Sequence, residues 1–125
     1  MPIETTIDSV RGIVVQRVQG ELDSNDVIEA QKRLYLDPDH DPALPVLWDT
    51  REGSASSMPF GEMENLVDRS EKLWENMGQG RTAILVASEA DFGMGRMYQA
   101  LADQMPRRLA VFYDYEEAIA WLSEA

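Results

Sequence analysis

Thr82-Ala83-Ile84-Leu85-Val86-Ala87 is a short apolar run entered from Gly78-Gln79-Gly80. Its length, its β-branched content and the glycines in front of it read as a strand. It shows no polar alternation, so neither of its faces meets water. That pattern belongs to a parallel strand covered by helices on both sides. Two further runs share it: Pro45-Val46-Leu47-Trp48, ending at Asp49, and Leu109-Ala110-Val111-Phe112-Tyr113.

Helical stripes fill the intervals between these runs. Met63, Leu66, Val67, Ser70, Trp74 and Met77 fall on one side of a single predicted helix, with Glu62, Glu64, Asp68, Glu71 and Lys72 opposite. Met94, Met97, Tyr98, Leu101, Ala102 and Met105 predict the next helix, which Pro106 ends. After the last run, Asp114 caps a final helix, with Glu117 three residues on and Ala118, Ile119, Trp121 and Leu122 facing inward.

Upstream, Ile3 to Ile7 and Ile13 to Val18 are two strands joined by Ser9-Val10-Arg11-Gly12. That connection is too short for a crossover, so the pair is an antiparallel hairpin. Gly20 ends the second strand, and Asp23 or Ser24 caps a helix carrying Val27, Ala30, Gln31, Leu34 and Tyr35. Asp37-Pro38-Asp39-His40-Asp41-Pro42 stops it. The order is ββαβαβαβα. The expected fold is a single α/β domain over residues 1–125, with a single-layer mixed sheet of five strands (the antiparallel hairpin, then parallel strands) and four helices.

Composition narrows the function. The chain has 125 residues, 11 Lys+Arg, 23 Asp+Glu, one His and no Cys, for a net charge of −12. Acid in this excess excludes a nucleic-acid binder that works by neutralising phosphates. Absence of Cys excludes disulfides, thiol nucleophiles and Cys-ligated metals. No apolar run approaches the length that spans a bilayer, and the opening residues carry no basic segment, so a cytoplasmic protein is expected.

Motifs that invite chemistry each meet a plainer reading. Asp37, Asp39 and Asp41 alternate as in a calcium loop, but the sixth and twelfth positions hold Pro42 and Trp48 where Gly and Glu are required, so a solvated acidic loop and no metal site is expected. His40, the only histidine, lies in that loop and is expected at the surface. Gly93-Met94-Gly95 lacks the third glycine of a dinucleotide fingerprint, since Tyr98 stands there. The helix start near Arg96 would still offer free N–H groups to a carboxylate or phosphate. No cofactor is expected.

Four stretches together carry a family resemblance: Val18-Gln19-Gly20-Glu21-Leu22, Val46-Leu47-Trp48-Asp49-Thr50-Arg51, Gly93-Met94-Gly95-Arg96-Met97, and Val111-Phe112-Tyr113-Asp114 with Glu117-Ala118-Ile119-Ala120-Trp121-Leu122. With the element order, they resemble the STAS domain of anti-sigma-factor antagonists and, more closely, the SpoIIAA-like family of small bacterial proteins. The fold of that family is related to the CRAL-TRIO lipid-transfer domain. The resemblance implies binding or regulation rather than catalysis. It also implies a phosphoacceptor at Thr50, where STAS antagonists carry Ser after Asp. Arg51-Glu52-Gly53 then departs from the small residues of the antagonists, leaving Ser54, Ser56 and Ser57 as substitutes.

Ligands of open α/β sheets sit beyond the carboxyl ends of the strands. That principle gathers Trp48, Asp49, Thr50 and Arg51 with the second helix start (Met58, Phe60, Met63) and the third (Phe92, Met94, Arg96, Met97). The expected function is a non-enzymatic binding or regulatory module. It would take an apolar or lipid-like acidic ligand between those helices and the sheet, with Arg51 or Arg96 as counter-charge. Peripheral membrane contact, a regulatory protein partner and a homodimer fit the same surface. The alternatives are a phosphorylation-switched interaction domain and a small hydrolase, the latter short of a usable His or Cys.

Overall fold

A computed structural model describes residues 3–124; Met1, Pro2 and Ala125, part of the expected 1–125 domain, lie outside the described residues. The elements are β1 (Ile3–Asp8), β2 (Ile13–Glu21), α1 (Ser24–Tyr35), β3 (Val46–Ser54), α2 (Phe60–Glu71), α3 (Trp74–Met77), β4 (Arg81–Leu85), α4 (Glu89–Leu101), β5 (Arg108–Phe112) and α5 (Tyr115–Leu122). The expected α/β class holds, with one five-stranded mixed sheet. Its strands lie in chain order, β1 antiparallel to β2 and β2 through β5 parallel.

Chain order dictates where the helices go. Right-handed crossovers that always step to the next strand in the same direction deliver every crossover helix to one face. Accordingly α1, α2 and α4 share a face with Val14, Val46 and Trp48. Only α5, which follows the last strand, is free to cover the other face. There Ala118 and Leu122 pack on Leu47, Ala83 and Leu85. The caps behave as their side chains require: Asp23 accepts from Asp26 N, and Asp114 from Glu116 N.

Four sequence expectations are corrected. The helix count is five, not four, among the described residues, because the long predicted second helix breaks after Glu71. A tight turn, Leu73 N donating to Ser70 O at 2.8 Å, lets Leu73 and Met77 both bury beside Val67, while Trp74 stays half-buried. The strand through Trp48 runs on to Ser54, and Gly20 does not end β2 but sits at φ 76° inside the ladder opposite Gly53, after a register shift between Arg17 and Gln19. Finally, α4 begins at Glu89, a full turn before Phe92, because Ser88 caps it.

Candidate functional site

Side chains alternate across a strand, so parity decides which of them meet. On β3, Trp48 and Thr50 turn toward α1, α2 and α4, whereas Leu47 turns toward α5. On β4 the same split separates Thr82 and Ile84 from Ala83 and Leu85. Ahead of and along β5, Arg107 and Leu109 join the first group. Between these residues and the helices above them lies a cavity of about 100 Å³. Trp48, Thr50 and Ile84 stay only half-buried although they sit on central strands.

Most of the wall is apolar: Trp48, Ile84, Met58, Met63, Leu66 and Met94 line it. Toward the amino ends of β4 and β5 the wall turns polar, with Gln31, Tyr35, Thr82, Tyr98 and Arg107. Arg107 is 5% exposed and uses all five of its N–H groups. Nε donates to Thr82 Oγ1 at 2.8 Å, Nη1 to the carbonyls of Pro42 (2.9 Å) and Met77 (2.6 Å), and Nη2 to those of Leu44 and Arg81 (both 2.8 Å). A Cβ on Gly80 would lie 2.8 Å from Nη2, so the guanidinium needs a glycine there. Burial holds Arg107 below its ordinary pKa, yet arginine remains a cation. Its guanidinium also faces the Tyr35 ring at 5.8 Å.

The phenols belong to the same polar end. Desolvation pushes the Tyr98 hydroxyl up to about 12, partly offset by hydrogen bonds with Gln31 and Ser70. Burial raises Tyr35 as well, against the pull of Arg107 and a hydrogen bond with Thr82. Ser70 Oγ donates to Gln31 Oε1 at 2.9 Å. At the other end, Asp91 ties the carboxyl end of β3 to α4, accepting from Ser54 Oγ (2.9 Å), Ala55 N (3.0 Å) and Ser88 Oγ (3.0 Å). From the three segments expected to share a rim, part of each lines this one cavity: Trp48 and Thr50, Met58 and Met63, and Met94.

Of the ligand-binding residues predicted from sequence, Trp48, Thr50, Met58, Met63 and Met94 line the cavity. Asp49 and Arg51 do not. They turn to the α5 face, where Arg51 grips Asp49 through Nε (3.0 Å) and Nη2 (2.9 Å) and lies 5.5 Å from the Tyr115 ring. That grip holds the Asp49 carboxyl below its usual value. Phe60 is 51% exposed, Arg96 is exposed, and Phe92 stacks on Tyr113 at 4.7 Å. Met97 packs in the cluster between α2 and α4 rather than on the cavity wall.

The anion-binding helix start near Arg96 is corrected. Arg96 sits in the second turn of α4, and the first turn is capped by Ser88 and carries Glu89 and Asp91. Gly95 serves packing, since its Cβ would stand 3.0 Å from a Val111 methyl. The Thr50 hydroxyl donates to the Leu85 carbonyl at 2.7 Å. His40 is not the surface residue expected: both ring nitrogens are inaccessible, and the ring meets Tyr35 edge-on at 5.7 Å. Asp37 and Asp41 spend carboxylate oxygens on the backbone N–H groups of Asp39 and Ala43. Arg107, Tyr35 and Tyr98 escaped the site prediction. Period-two counting back from Leu109 would have placed Arg107 on the cavity face.

No family model and no curated protein matches this sequence. Among solved structures, the chain is similar to an uncharacterized protein from Shewanella loihica PV-4, of the DUF3478 family with a SpoIIAA-like fold. The two share 17% identity with a TM-score of 0.58, over 96% of this chain and 91% of that one. The chain therefore has a SpoIIAA-like fold.

Proposed function

We propose that this domain is a binding module, without catalysis of its own, that takes a small apolar ligand with one acidic group into the cavity between α1, α2, α4 and the sheet. The observation that carries this reading is the half-burial of Trp48, Thr50 and Ile84 at the centre of the sheet. Close packing is the rule in protein interiors, and a gap facing central strands forfeits dispersion contacts that a few larger side chains would supply. Methionines 58, 63, 77, 94 and 105 around it provide an adaptable wall. A phosphorylation switch at Thr50 has weaker support, because that hydroxyl is engaged by Leu85.

Thermal unfolding with a panel of small carboxylic acids, alcohols and lipids tests the reading. A ligand at about one hundred times its Kd adds about 2.7 kcal/mol to stability, a Tm increase of about 10 °C for a domain of this size. A panel that leaves Tm unmoved throughout refutes it.

A further inference from the structure

Arg107 is a buried cation with no counter-ion. All five of its donors end on neutral oxygens, four of them backbone carbonyls. None of the salt bridges among the described residues includes it. Carbonyl dipoles replace its hydration but leave its net charge, in a region where low dielectric extends the reach of that charge. In a chain of net charge −12 the polar end of this cavity is thus locally positive.

Two phenols stand in that field. Tyr35 is 7% exposed, with the Arg107 guanidinium 5.8 Å from its ring centroid and Thr82, which accepts from Arg107 Nε, on the same cavity wall. Tyr98 is near enough to Tyr35 that ionising one would oppose ionising the other. Both remain protonated at neutral pH, so each is a donor. The opposite end of the cavity holds Ile84, Met58 and Met94 with Thr50 and the Asp91 carboxylate, whose oxygens are taken up by Ser54, Ala55 N and Ser88 and whose charge opposes a second anion there. Charge thus grades along one axis, from donors beside a cation, past thioether and alkyl wall, to a carboxylate already satisfied by its neighbours.

We infer that the polar end formed by Arg107, Thr82, Tyr35 and Tyr98 recognises a carboxylate, and that the ligand is a short-chain monocarboxylic acid bound with its acid group innermost. Two hydroxyl donors match the two oxygens of a carboxylate, and hydrogen bonds to an ionised acceptor are the stronger kind. Volume sets the size of the rest. A cavity of about 100 Å³ is smaller than the roughly 150 Å³ that accommodates benzene in an engineered protein core. A phenyl ring or a long acyl chain does not fit without displacement of α2 or α4. This inference rests on the cavity being the ligand site, and it adds the head group, the orientation and the size.

Calorimetric titration of the full chain at neutral pH with propionate, propanol, propylamine, benzoate and palmitate tests it. Propionate is expected to bind about tenfold or more tighter than propanol, with propylamine, benzoate and palmitate weaker still. In Tyr35→Phe and Tyr98→Phe variants, which keep Arg107, the acid should lose about tenfold while propanol changes little. Equal binding of propionate and propanol overturns the carboxylate assignment and leaves the cavity reading standing. So does an acid preference that survives both tyrosine substitutions. A preference for benzoate or palmitate overturns the size limit, and failure of every probe overturns both readings together.

Discussion

Removing the guanidinium of Arg107 is expected to cost a large part of the stability of the domain. Five acceptors depend on it: the carbonyls of Pro42, Leu44, Met77 and Arg81, and the Thr82 hydroxyl. They come from the loop before β3, the end of α3 and the start of β4, so one side chain stitches three separate segments. Arg107→Met preserves most of the aliphatic stem and strands all five acceptors. At about 1 kcal/mol for each buried acceptor deprived of its donor, the loss is about 4–5 kcal/mol. Domains of this kind hold about 5–15 kcal/mol in total. The expected Tm decrease is about 15–20 °C. Arg107→Lys restores up to three donors and should lose about half as much. Urea unfolding followed by circular dichroism, with the slope checked for constancy, measures both. A Met variant within about 1 kcal/mol of the parent, or a Lys variant less stable than Met, refutes the assigned role.

Other consequences follow from single contacts. Asp49→Asn should lose about 1 kcal/mol at neutral pH, since its partner Arg51 is half-exposed. The Asp49 pKa is depressed on folding, so its contribution is present above the ordinary value of 3.8 and fades below it. Urea midpoints of parent and variant should therefore converge toward pH 3, and an equal gap at both pH values contradicts the pairing. Burial, with Arg107 adding to it against Asp41 and Asp37, depresses the His40 pKa below the ordinary 6.5. Acid then favours the unfolded chain, which protonates first, so stability declines from pH 7 toward 5. His40→Phe should flatten that decline, and an unchanged slope rules out the residue as its source. Gly93→Ala, in open space on α4, should stabilise by about 0.5–1 kcal/mol. Gly95→Val, against Val111, should destabilise by about 1–3 kcal/mol. Equal unfolding midpoints for the two variants would contradict the close packing of α4 on β5.

The architecture was readable because its signals are local and redundant. Apolar runs such as Thr82–Ala87, helical stripes and the caps Asp23 and Asp114 each point to the same elements. What the sequence did not show depends on direction in space. Trp48, Asp49, Thr50 and Arg51 are consecutive, and they looked like one cluster at a strand end. A strand cannot present four consecutive side chains to one face, and the structure sends Asp49 and Arg51 to α5. Arg107 stayed hidden for another reason. Four of its five partners are backbone carbonyls, up to 65 residues away, and carbonyls leave no mark in a sequence. The extension of β3 past Asp49 to Ser54 was masked because Glu52, Gly53 and Ser54 carry no strand signal of their own until β2 is known to run beside them.

Methyl NMR of the protein with labelled methionines, titrated with propionate, tests most directly whether the cavity is the working site. Met58, Met63, Met77, Met94 and Met105 line it, while Met97 lies on the same helix as Met94 and outside the wall. The lining methyls should shift together with saturation while Met97 moves least. Shifts confined to Met97, or lining methyls that stay unmoved while the acid saturates by calorimetry, would contradict the assignment.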